Sequence, residues 1–512
     1  MNIYESYLQR VRDHGEEPAI VDPAGADISF AETNTAAKRI TAWLTNRGIE
    51  IDDRVAIYLP DCHEYIPSVL GVLRKGAVAV PVNTRLSPEE LQYVLNDVRP
   101  RALIAPSMDD TVDSLVKETE TLTSGDCLSI RPNQWFKNEE LPKSHTAPPP
   151  TTRLDSNPAF VMHTSGTTGK PKGVIQTHRN VAAQVAGGIS KFQLTSTDIG
   201  LATVPLFHVG GFHEIVLMTL FAGGAVAIQS SWDPVEWANL VETTGATWSG
   251  LIPTMIIDIL DSKEALDRDT SSLRFCIYGG SATPESVLKD FEDRTEVGMM
   301  IDNYGQTENS GVSVTYSLDD ERRPGAMGTF VPVVEGRVVD LETGEELPPG
   351  QEGELLLRGD SITPGYWERP KANEELFTDG WLHTEDVVQM DKDGYLYYVD
   401  RVDDMILSGG EKVSPSEVED VLQEHPNVSA VAVLGTSHER FGKAVTAVII
   451  PQDDSLTTED VKAFCDERDD LAGYKKPRRV VFVEDFPQTG SHKVDKDQLV
   501  EQLAQKYSSE WR

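Results

Sequence analysis

Residues 54–105 switch back and forth between two hydrophobic periods, and this switching narrows the fold more than any other feature of the chain. The segment Arg54–Pro60, RVAIYLP, is short, apolar and β-branched, as a buried strand is. The apolar residues of EYIPSVLGVLRKG then recur at helical spacing. AVAVPVN returns to a strand, and SPEELQYVLNDV opens on Ser87 as an N-cap and continues amphipathically. Strand, helix, strand, helix, strand predicts parallel βαβ units. The polar, Pro-containing stretch KSHTAPPPTTRLDSNP reads as a connector, and a second αβ series follows that includes GAVAIQ and LRFCIYGG. From about Val333, frequent turns between short alternating segments predict a small β-rich subdomain, which MDKDGYLYYVDRVDDMI continues as a hairpin. SPSEVEDVLQEHPNVSAVAVLG then reads as a short α/β module. The expectation is an α/β chain. Residues 1–402 form a large N-terminal domain of two βαβ-type sheets plus the β-rich subdomain, and residues 403–512 a smaller α+β domain. A chain of 512 residues exceeds what one hydrophobic core serves.

Between the two αβ series lies MHTSGTTGKPKG, residues 162–173, entered from an apolar strand. Its glycines Gly166 and Gly169 free backbone N–H groups, Thr164, Ser165, Thr167 and Thr168 add hydroxyls, and Lys170 or Lys172 adds an ammonium. Together these make a nest for an anion, and phosphate is the natural guest. The Walker pattern does not fit, because Pro171 follows Lys170 where Lys then Ser or Thr is needed.

Charge excludes some partners. Eighty-three acidic against 46 basic residues give a formal charge of −37, which disfavours nucleic acid and anionic membranes. An apolar content of 39% argues against disorder, so the acidity points instead to a protein adapted to high salt, where screening tolerates self-repulsion. Four scattered cysteines and no apolar leader in the first twenty residues fit a reducing cytoplasm. The most apolar stretch, Val204–Ile228, is interrupted by His208, His213 and Glu214, so it reads as core or pocket lining, with no transmembrane segment expected. His208 and His213 lack a third ligand for zinc. DKDG at Asp391–Gly394 lacks the acidic twelfth position of a calcium loop and reads as a turn. Oligomeric state is not specified, a homodimer being one open alternative.

TSGTTGKPKG resembles the phosphate loop of the adenylate-forming superfamily: acyl-CoA synthetases, peptide-synthetase adenylation domains and firefly-type luciferases. PLFHVGG, YGGSATP, NYGQTE, GELLLRG, GYW, WLHTEDV, DRVDDMI, SGGEKVSPSEVE and YKKPRRVVFVEDFPQTGSHKVDK are similar to family segments in the same order. The resemblance implies an acid–thiol ligase that makes an acyl-adenylate from ATP with Mg²⁺, then a thioester with coenzyme A. A medium- or long-chain fatty acid is the first expectation. A benzoate- or succinylbenzoate-type aryl acid, or loading of a separate carrier protein, is the alternative.

By the same resemblance, Thr164 to Gly169 with Lys170 and Lys172 would grip phosphates, and Glu308 with Thr164 would hold Mg²⁺. Gly280, Ser281, Ala282, Asn303, Tyr304, Gly305 and Thr307 would line the nucleotide site, with Tyr304 against adenine and Thr307 near the α-phosphate. Asp386 would accept the ribose hydroxyls and Arg401 contact ribose or phosphate. The chain has Thr384-Glu385-Asp386 where the family commonly has Thr-Gly-Asp, and Glu385 is expected to point away. Lys493 would bridge carboxylate and α-phosphate, although His492 stands where Gly is usual. Asp403 would be the hinge of a mobile C-terminal domain that next presents Ser408, Gly409 and Gly410 to coenzyme A. Lys475, Lys476, Arg478 and Arg479 would attract its phosphates or form an ordinary solvated face. His208 would gate the acyl pocket, walled by Val209, Gly210, Phe212, Tyr278, Gly279 and Gly311. No charge to recognise an amino group is evident among these walls, which disfavours an amino-acid substrate.

Overall fold

A computed structural model describes residues 2–25, 27–106, 110–134, 141–164, 170–280, 283–402, 404–408, 411–438, 440–453, 455–468, 471–487 and 494–506. The chain packs as two compact units. One comprises Met1–Thr164, Lys170–Gly336 and Leu357–Leu382, the other Arg337–Leu356 and His383–Arg512.

The first unit holds two sheets of the expected βαβ kind. In one, the strand order is Cys127–Ser129, Ala102–Ala105, Arg54–Ile57, Val78–Pro81, Pro158–Thr164 and Lys172–Thr177. All its pairings are parallel except the last. The helix Pro88–Val98 starts where foreseen: Ser87 accepts the N–H of Glu90, and the Glu90 side chain returns to the Ser87 N–H. Its Leu91, Val94, Leu95 and Val98 pack on Val78, Val80, Leu103 and Ala105, the strand residues of alternate parity that face it. The second sheet of this unit runs Ala326–Phe330, Gly311–Thr315, Met300–Gln306, Phe275–Tyr278, Trp248–Leu251, Ile199–Ala202, Ala225–Ile228, Pro18–Ile20 and Ile28–Ser29. Its central strands are parallel, with Tyr278 beside Asp302, so the strand Met300–Gln306 runs four residues past the end of Phe275–Tyr278 on the same side of the sheet.

The strand Trp381–Met390, whose residues from His383 onward belong to the second unit, forms the expected hairpin with Leu396–Arg401, and Asp386 stands opposite Arg401. Asp391 Oδ1 accepts the N–H groups of Asp393 and Tyr395, so DKDG is a turn. The C-terminal sheet orders Glu411–Val413, Ile406–Ser408, Gly442–Pro451 and Val428–His438, with Arg479–Phe482 parallel to Gly442–Pro451. Period-two alternation splits its core. Val433, Val445, Ala447 and Ile449 meet the helices Pro415–Gln423 and Thr458–Asp466, while Ala432, Leu434 and Val448 meet Leu499 and Leu503 of the helix Lys496–Lys506. Asp403 lies outside the described residues, so the hinge placed there remains an expectation.

Candidate active site

The strand Pro158–Thr164 delivers Thr164 opposite Lys172 of the returning strand. Lys172 Nζ lies 4.9 Å from the centroid of the Tyr366 ring. The Tyr366 hydroxyl donates to Glu308 Oε1 at 2.9 Å. Glu308 sits on the single turn Thr307–Asn309 that ends the strand Met300–Gln306. The backbone of that turn is held from both sides: Gln176 Nε2 donates to the Thr307 carbonyl at 2.9 Å, and Thr363 N to the Glu308 carbonyl at 2.8 Å. Strand pairing, the contact of Lys172 with the Tyr366 ring and these hydrogen bonds thus join Thr164, Lys172, Thr307 and Glu308 in one assembly. Lys170 extends past it, exposed, 5.1 Å from the Tyr93 ring centroid. Tyr366 has no assigned role in the sequence reading; only its place in GYW marks it.

The Thr164 strand is pinned one residue earlier. Asp97 accepts from His163 Nε2 at 3.1 Å and is paired with Arg369, and these partners hold its carboxyl below the usual range against the opposing effect of burial.

Asn303, Tyr304 and Gly305 follow on the strand Met300–Gln306, with Asn303 and Tyr304 half-buried and Gly305 exposed. Gly279 passes so near it that a Cβ there would lie 2.4 Å from the Asn303 carbonyl, a position only glycine can hold. Tyr278 is buried and donates to Asp302, whose carboxyl burial pushes up to about 7.

The apolar stretch is core, as foreseen, and residues Gly210–Leu217 wind as a π-helix, a geometry frequent at functional sites. His208, Val209 and Gly210 remain partly exposed. The His208 ring lies 4.7 Å from that of Phe207. Phe212 is fully buried between Tyr65 and Phe160 and presents no surface. His213 Nδ1 donates to the Ser310 carbonyl at 3.1 Å, and burial pushes its imidazole down to about 4. Glu214 is also buried; Asn303 Nδ2 donates to its Oε2 at 2.7 Å, and burial pushes its carboxyl up to about 7. Behind Gly210 and Gly311, expected from sequence to be walls without a charge, lies the buried carboxyl of Glu214. The sequence showed it only as a break in an apolar run.

In the second unit, Asp386 is buried and accepts from Arg401 Nη1 at 3.3 Å, while Arg401 Nη2 meets the exposed Glu385 at 2.7 Å. Glu385 does point outward. Its φ of 60° explains why glycine suits this position. Asp400, given no role from sequence, accepts from Ser414 Oγ at 2.6 Å and Ser416 N at 3.1 Å, joining the hairpin to the helix Pro415–Gln423. Ser408 is buried on the strand Ile406–Ser408. The basic cluster is locally engaged: Lys475 pairs with Glu417 at 2.5 Å and Lys476 with Asp466 at 3.2 Å. Arg478 stacks 4.0 Å from Phe441 and Arg479 donates to Thr436 Oγ1 at 2.7 Å.

Ser165, Gly166, Thr167, Thr168, Gly169, Ser281, Ala282, Asp403, Gly409, Gly410 and Lys493 lie outside the described residues. Among the described residues no three His, Cys, Asp or Glu side chains gather as a metal cage, and no helix is long and apolar enough to cross a membrane.

Comparison with known proteins adds to this geometry. The AMP-binding enzyme family matches residues 8–367, and the AMP-binding enzyme C-terminal domain matches residues 417–493. A feruloyl-CoA synthase of Amycolatopsis is 34% identical over 478 residues, 93% of this chain and 94% of that protein. A long-chain-fatty-acid–CoA ligase of Mycobacterium tuberculosis is 31% identical over 503 residues, 95% of each. Among solved structures, ATP-bound MatB from Rhodopseudomonas palustris superposes with a TM-score of 0.87 at 29% identity, covering 99% of this chain and all 100% of that one.

Proposed function

The chain belongs to the AMP-binding enzyme family and is an AMP-forming acid–CoA ligase, and on that premise we propose how its residues divide the reaction. A carboxylate is a poor acyl donor, because the group it would expel is oxide. Attack of the carboxylate oxygen on the α-phosphorus of ATP breaks the bond to pyrophosphate and leaves a mixed anhydride with AMP. The thiol of coenzyme A then attacks the acyl carbon, and the C–O bond to AMP breaks. Both steps need anions brought together and their migrating charge met by fixed donors.

The observation that carries this reading is the sharing of Tyr366 between Lys172 and Glu308. It holds a cation and a carboxylate beside the strand end at Thr164, where a triphosphate needs both. Lys170, Lys172 and the loop from Thr164 to Gly169 bind and orient the β- and γ-phosphates. The donor set fits Mg²⁺, because an ion that arrives on phosphates takes only one or two carboxylates from protein. Glu308 supplies that carboxylate and Thr164 a hydroxyl; the ion would neutralise phosphate charge. Tyr304 offers its face to adenine, with Asn303, Gly305, Thr307 and Gly280 to Ala282 around the nucleotide. Asp386 accepts the ribose hydroxyls, and Arg401 pairs with its carboxylate.

Lys493 bridges the acid carboxylate and α-phosphate in the first step. Residues 403–512 then turn about Asp403 and present Ser408, Gly409 and Gly410 to the thiol. His208 stands at the mouth of an acyl pocket lined by Val209, Gly210, Tyr278, Gly279 and Gly311, with Phe212 packed behind it. A medium- or long-chain fatty acid suits an apolar pocket. A benzoate- or succinylbenzoate-type aryl acid is the second reading, and the buried Glu214 behind these walls bears on it only where the acid carries a polar group, since neither a plain ring nor a plain alkyl chain gives a carboxyl group anything to bond. The cytoplasm is the proposed compartment, consistent with the free Cys62, Cys127, Cys276 and Cys465.

Pyrophosphate release on mixing the protein with Mg·ATP and a panel of fatty and aryl acids tests the reading. Release followed by thioester on adding coenzyme A is expected. Release without thioester would indicate a carrier-protein acceptor, and no release with any acid would refute the assignment.

A further inference from the structure

Gln184 lies on the helix His178–Phe192, wholly buried, and among the described residues neither its amide nitrogen nor its oxygen has a hydrogen-bond partner. Asn303 Oδ1 and His213 Nε2 are in the same state. Stranding such a group is costly, and native interiors seldom leave one unmet. Gln184 and Asn303 both adjoin Glu214. A Cβ placed on Gly311 would lie 2.5 Å from Gln184 Nε2 and 2.9 Å from Glu214 Oε1, so both side chains reach over that glycine. A Cβ on Gly210 would lie 3.9 Å from Glu214 Oε2, and Gly210 is partly exposed. The cluster therefore lies just beneath the surface that the proposed acyl pocket presents.

We propose that Gln184, Glu214 and Asn303 form a polar floor to that pocket and select acids that carry a hydroxyl group remote from the carboxylate. The inference rests on the ligase reading and the acyl pocket given above. A hydroxyl is both donor and acceptor. It bonds Gln184 Nε2 through its oxygen and gives its hydrogen to Asn303 Oδ1 or Glu214. A second carboxylate has no hydrogen to give and leaves Asn303 Oδ1 unmet. An ammonium has no acceptor to offer the Gln184 amide nitrogen. A plain alkyl or phenyl end displaces any water and leaves Gln184 and Asn303 Oδ1 unmet, the situation in which a polar site discriminates most strongly.

The test compares matched pairs in wild-type protein: 4-hydroxycinnamate with cinnamate, and 12-hydroxydodecanoate with dodecanoate, by pyrophosphate release. The expected result is a kcat/KM at least roughly tenfold higher for the hydroxylated member of one pair, the pair that shows it distinguishing a planar aryl from an alkyl frame. In Glu214→Gln and Gln184→Met the ratio falls toward one through a rise in KM for the hydroxylated acid, while the melting temperature reports folding separately. Equal rates within both pairs mean that the cluster holds only water and overturn the inference while leaving the ligase reading intact. Loss of stability in both variants with the ratio unchanged gives the cluster a purely structural role and overturns it too. Silence toward every acid overturns the ligase reading and this inference with it.

Discussion

The Tyr366 hydroxyl donates to Glu308 Oε1 across 2.9 Å while its ring carries Lys172 at 4.9 Å, so one phenol orients the carboxylate and the cation proposed to meet Mg·ATP. Hydrogen bonds to charged groups contribute about 1.5–3 kcal/mol, and one decade of affinity is about 1.4 kcal/mol. Tyr366→Phe keeps the ring over Lys172 and removes only the hydroxyl. It should raise the KM for Mg·ATP by roughly tenfold or more, leave the KM for the acid nearly unchanged, and leave the fold intact by circular dichroism. An unaltered KM for Mg·ATP would remove Tyr366 from the nucleotide site.

Lys493→Ala separates the two half-reactions. A lysine that bridges carboxylate and α-phosphate acts only while the anhydride forms. Pyrophosphate release should fall by about 10²–10³-fold, the usual loss for one preorganised charge-stabilising group. Conversion of supplied acyl-adenylate to thioester by coenzyme A should hold near the wild-type rate. Equal loss of both steps contradicts the role.

Glu385 has a φ of 60°, a left-handed conformation that costs a side chain about 1 kcal/mol or more, and its carboxylate competes with Asp386 for Arg401. Glu385→Gly relieves the strain and leaves Arg401 to Asp386. The exposed ion pair it loses contributes little. Denaturant unfolding should show the glycine variant at least as stable as wild type. Glu385→Val, with a β-branched side chain in the same backbone, should lose about 1–3 kcal/mol.

Glu214 fixes a pH dependence whose sign is definite. Its carboxyl is raised by burial from 4.5 to about 7, so the folded protein binds the proton more tightly than the unfolded chain. Stability from this group is fully present below about pH 4.5 and is lost as pH rises through about 7. Buried His213 acts in the opposite sense, since its value falls from 6.5 to about 4 and its contribution is lost as pH falls through that window. The two are separated by difference. Relative to wild type, Glu214→Gln should gain stability between about pH 4.5 and 7, on the order of 2–3 kcal/mol in total, and no more above it. A difference that does not vary with pH would mean that Glu214 stays at its ordinary value.

The parts of this fold that sequence reveals are those set by neighbours along the chain. The Ser87 capping box, the strand ending at Thr164 and the DKDG turn all depend on residues fewer than ten apart, and all are where their spacing puts them. The site is different, because its contacts join distant segments. Tyr366 reaches Glu308 across 58 residues, and Asn303 reaches Glu214 across 89. Glu214 interrupts an apolar run, and a charge in such a run carries no sign of whether it faces solvent, core or ligand until Asn303, Gln184 and Gly311 surround it. Glu385 is a middle case: the departure from Thr-Gly-Asp is visible in the sequence, but its meaning depends on a backbone angle.

The formal charge of −37 makes a prediction independent of the site. Unlike-charge pairs such as Arg322 with Glu285 and Glu292 offset little of it, because 83 acidic residues outnumber 46 basic ones. Surface carboxylates then repel one another, and the folded state, which holds them closer than the unfolded chain does, bears more of that repulsion. Salt shortens the range of the interaction from about 10 Å at 0.1 M to about 3 Å at 1 M. A protein adapted to high salt should therefore melt at higher temperature, and turn over faster, as KCl rises from 0.1 M toward molar concentrations, in contrast to the loss expected of a protein held by exposed ion pairs. A melting temperature and rate that are flat or falling across that range would show that the acidic surface does not depend on screening and would end the salt-adaptation reading.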